Sequence, residues 1–206
     1  DNKYFINDLF EAIKKNCVED KKILEGFNNP NYRNEYKMIS NNPIYYEVKF
    51  SYEIPGIEEF DESLVKGVLK DYENKIKEIS YDILASKVLE ELISNKEMDK
   101  YVIKIDKGLK KAGLLRLFDN KYLKEFVKIL VPYEEEIKYQ NLIKDYKEIG
   151  MSFIYKYDSN ENVNPTMFVN DMELLVNKEF INNNLDNQIS FDKMNIKLVV
   201  KNKEEE

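Results

Sequence analysis

Glu47 and Lys49 stand two residues apart in IYYEVKFSYEI, residues 44–54. On an extended chain that spacing puts both side chains on one face. A carboxylate that holds Mg²⁺ beside a lysine that helps activate water is the working pair of a metal-dependent nuclease or hydrolase. Such a site needs a further acid from another segment, and upstream Asp20 and Glu35 are only nominal candidates. Glu and Lys are abundant here, and opposite charges alternating along a wet strand face are ordinary. The solvated face is therefore the preferred reading of the pair, with the hydrolase as the alternative.

Asp158, Asn160 and Asn162 repeat the first three oxygen-ligand spacings of a calcium loop. Val163 then stands where the sharp turn wants Gly, and Val169 where a bidentate Glu belongs. The segment reads better as an Asx-rich turn. Gly108 and Gly113 have the spacing of a phosphate loop, but Leu114 and Leu115 replace its Lys and its hydroxyl residue. Cys17 falls on the apolar stripe of a first helix, where a cysteine acts as a small buried apolar group. The sequence has no His, which removes imidazole-based triads and the common zinc sites. No cofactor is implied.

Two surface features point to macromolecular partners instead. Tyr45 falls on the side of the 44–54 strand expected to be wet, and exposed Tyr gives large contact area at low entropic cost. Glu58, Glu59, Asp61 and Glu62 form an acidic cluster, as do Glu134 to Glu136 at an expected helix start. Patterned carboxylates can stand in for phosphates, so an acidic inhibitor that mimics nucleic acid is a second alternative. Direct binding of nucleic acid is disfavoured, because 39 Asp and Glu outnumber 32 Lys and Arg, for a net charge of −7. Only Arg33 and Arg116 could read a base or phosphate bidentately.

The elements that must position these residues follow from periodicity. Residues 4–25 carry an amphipathic helical stripe. Residues 44–54 alternate with a two-residue period, so they predict a strand ending at Pro55 and Gly56. A long helical stripe covers about 62–95, and YVIKI at 101–105 fits a strand or a helix start equally. Helical patterns are expected at about 107–118, 120–131 and 133–149, the last stopped by Gly150. MSFIYKY at 151–157 alternates like a strand, and QISF with MNIKLVV reads as a C-terminal hairpin before a polar tail at 201–206.

A chain of 206 residues is long enough for a sizeable core. The expectation is one α+β domain over 1–200, with a helical middle at about 62–149. Its helices would pack on a small, mostly antiparallel sheet made of the 44–54 strand and the C-terminal strands. The single Cys excludes a disulfide within the chain, no leader is visible at residue 1, and no apolar run reaches membrane-span length. These features predict a cytoplasmic protein. The Lys, Asn, Ile and Tyr bias is that of an AT-rich genome, as in a low-GC bacterium or its phage. With little catalytic chemistry available, the functional expectation is a non-enzymatic protein that binds another protein, as a structural or assembly component or a small regulatory or inhibitory factor.

Overall fold

The computed structural model describes residues 31–53, 100–107 and 121–203. The chain divides into two compact units, residues 1–35 with 49–88 and residues 36–48 with 89–206. The helices expected at 4–25, 62–95 and 107–118 lie outside the described residues. So do Cys17, both glycines of the 108–113 segment, and the acids Glu58, Glu59, Asp61 and Glu62.

Seven strands form one sheet in sequential order: β1 (Asn31–Asn41), β2 (Ile44–Glu53), β3 (Lys100–Lys104), β4 (Val127–Pro132), β5 (Ser152–Lys156), β6 (Glu173–Val176) and β7 (Lys197–Val200). The two-residue turn at Asn42 and Pro43 joins β1 to β2, as only an antiparallel pair allows. From β2 to β7 every pairing is parallel. The helices between the later strands are short: α1 (Lys121–Phe126), α2 (Gln140–Glu148), α3 (Lys178–Asn183) and α4 (Gln188–Lys193).

The sheet is curled into a half-barrel. Ser40 bridges Lys201 antiparallel, while the Asn202 backbone N–H donates to Ile39 O at 2.9 Å and its amide to Met38 O at 2.9 Å. In a flat sheet the first and last of seven strands would lie roughly 29 Å apart. One buried residue from each strand, Ile39, Tyr45, Val102, Leu130, Ile154, Leu175 and Val199, meets in a single cluster.

This architecture corrects the expected one. The sheet is large and mixed, its pairings from β2 onward are parallel, and its helices are few and short. The physical reason lies in how parallel strands look in sequence: covered on both faces, they read as apolar runs without clean alternation. All four residues of β6 are buried, as are four of the six in β4. The helix expected over 120–131 ends at Phe126 and passes directly into β4, whose VKILV run fits either period. The expected C-terminal hairpin also gives way, because QISF lies in α4, where Phe191 is its buried anchor, and β7 pairs parallel with β6.

Other expectations hold. Residues 44–53 and 152–156 are strands, and YVIK belongs to a strand rather than a helix. Gly150 follows α2 at φ +85°, the left-handed stop that glycine adopts without penalty. Lys201 and Asn202, placed by the sequence in a polar tail, are respectively buried and tied to β1.

Candidate functional site

Because side chains alternate along a strand, the residues two before and two after Val102, Leu130, Ile154, Leu175 and Val199 share their face. The amino-terminal end of that face carries Lys100, Lys128, Ser152, Glu173 and Lys197. Its carboxyl end carries Lys104, Pro132, Lys156, Asn177 and Lys201.

At the amino-terminal end a mostly buried polar network lies inside the curl, with Lys128 and Glu173 reaching the wall of a cleft. Glu173 is only 8% exposed, and it accepts hydrogen bonds from the Tyr45 hydroxyl and the Lys128 ammonium. Lys128 also lies 5.5 Å from the centroid of the Tyr45 ring. Tyr45 starts four strands away from Glu173, roughly 19 Å in a flat sheet, so curvature makes this contact. Burial pushes the Tyr45 phenol well above its usual range, and the hydrogen bond and charge of Glu173 add to the effect. The network is a satisfied ion pair with a neutral donor, which is the form in which a buried carboxylate is tolerated.

At the carboxyl end Lys201 is buried and pairs with Asp158, which remains largely in solvent. Lys104 and Lys156 form no ion pair among the described residues, which leaves this rim with a positive bias.

The predicted site residues are distributed as follows. Tyr45, expected on a wet face, is 1% exposed, because the curl of the sheet covers the side that alternation alone left to solvent. Glu47 is half-buried in register with Val102, and Lys49 is exposed. Among the described residues no three Asp, Glu, Cys or His side chains are grouped as a metal ion would need.

Asp158, Asn160 and Asn162 turn to different partners. Asp158 takes Lys201, the Asn160 amide donates to Glu179 at 3.0 Å, and the Asn162 amide donates to Asn183 O at 2.8 Å and to Asp186 at 2.9 Å. Asn184, itself buried, donates to Glu161 O and Phe180 O and accepts from the Val163 N–H. The loop is thus strapped to α3 and the turn behind it.

A cleft of about 430 Å³ lies beside β5, within the size range of ligand-binding pockets. Phe153 and Tyr155 line it from the sheet, Lys147 and Glu136 from α2 and the turn before it, and Val169 and Lys197 from later segments. Asp171 and Asn195, which precede β6 and β7, both adopt left-handed backbone, and the Asn195 amide donates to Asp171 at 2.8 Å. That bond fixes one side of the cleft.

Tyr155 is 5% exposed, and its hydroxyl has no hydrogen bond among the described residues. Burial, with the Glu136 charge second, pushes its phenol up to about 12, so at neutral pH it is a protonated donor. Lys147 and Lys197 lack acidic partners, and the Lys147 ammonium sits 5.9 Å from the Phe153 ring centroid.

The rim includes Val169, which is 67% exposed, while Ile137 and Met167, 81% and 40% exposed, lie outside the lining. They come from two loops joined by an aromatic cluster in which Tyr133, Tyr157 and Phe168 meet edge to face with centroids 5.3–5.4 Å apart. The Tyr133 hydroxyl donates to Met167 O at 2.9 Å. Sequence reading missed Tyr155, Lys147, Lys197 and this rim, because nothing along the chain marks two loops as neighbours. Glu173 did carry a signal, as an acid opening the apolar run ELLV.

No protein-family model matches the chain, and no curated protein matches it.

Proposed function

We propose that this protein works by binding another protein, as an assembly component or a small regulatory factor, and not by catalysing a reaction. The observation that supports this reading is that exposed Met167 and Val169 flank Phe168, which packs on Tyr133, and that Val169 lines the cleft. Large apolar side chains scattered singly over a surface need no explanation, whereas neighbouring ones beside a polar cleft have the composition of an interface. The charged groups inside the curl favour the same reading, since Glu173 with Lys128 and Asp158 with Lys201 already satisfy each other.

The test compares affinity capture from native lysate by the wild-type chain and by the double variant Ile137→Asp/Val169→Asp. Both positions are exposed, so the variant is expected to fold normally. Specific proteins retained by the wild type and lost by the variant support the reading. Identical recovery by both, or no specific recovery by the wild type, removes it. Cleavage of DNA or RNA in Mg²⁺ or Mn²⁺ that Glu47→Ala abolishes would replace it with the hydrolase.

A further inference from the structure

We draw no further inference here: the strongest candidate, the cleft beside β5, is lined by three lysines and three acids, and nothing in the structure shows what occupies it.

Discussion

Two lysines of the same sheet face are neutralised in opposite ways at its two ends. Lys128 and Glu173 have side chains 13% and 9% exposed, so both charges of that pair have left water, and the Tyr45 hydroxyl completes the shell of the carboxylate. Lys201 is 1% exposed, whereas its partner Asp158 is 56% exposed. The first pair is mostly buried on the wall of the cleft and joins strands that are not neighbours. The second is a buried ammonium tethered to a carboxylate that water still reaches. Position in the curl, not residue type, separates a pair with both partners mostly buried from one whose acid stays in solvent.

The largest effect that would break this contrast is expected from Glu173→Ala. It strands the Lys128 ammonium and the Tyr45 hydroxyl in the interior, and loss of one partner of a buried pair costs about 3–5 kcal/mol. Urea denaturation measures it. A loss below about 1 kcal/mol would mean that water enters the amino-terminal end and that the two ends are alike.

A matched pair of variants at the carboxyl end should give a smaller and asymmetric result. Asp158→Ala leaves Lys201 buried, but water can take the place of an acid already in solvent, so the cost is about 1–3 kcal/mol. Lys201→Met removes the buried charge and lets Asp158 hydrate, and such replacements are near neutral or stabilising. If Lys201→Met costs more than Asp158→Ala in the same urea series, Asp158 is not the solvent-reaching partner.

Sequence reading reached some of this and missed the rest for identifiable reasons. Alternation at 44–53 located β2 correctly, yet it assigned Tyr45 to water, because a two-residue period cannot say whether the second face is covered. At Phe126 to Val127 the chain passes from helix to strand with no Gly or Pro between them, so the VKILV run was absorbed into a helix. The parallel pairing of β6 with β7 also left no local mark, since a parallel connection uses a crossover instead of a tight turn. The polar loop at 158–163 was legible from its Asx residues, but its partners were not, since they lie far ahead in α3 and the turn after it. The cleft was not, because Tyr155, Lys147, Val169 and Lys197 meet only after four segments have packed.

Tyr155 gives the finest test of the difference between a phenol bonded to a carboxylate and one whose hydroxyl has no partner among the described residues. Tyr45 donates to Glu173, whereas the Tyr155 phenol is held protonated chiefly by burial. Its pKa is about 12 in the folded chain and about 10 when unfolded. A folded pKa raised in this way means that the neutral phenol contributes stability in full below pH 10. That contribution is lost as pH rises through 12, because the unfolded chain releases the proton first. Tyr155→Phe should therefore lose less stability than the wild type between pH 9 and pH 11.5, when urea midpoints are compared across that range. Lysine titration and the other raised phenols, Tyr45 and Tyr146, act on both proteins alike and cancel in the comparison. Parallel alkaline loss in the two proteins would show that the Tyr155 hydroxyl is solvated through the cleft, and burial would then no longer distinguish it from an exposed tyrosine.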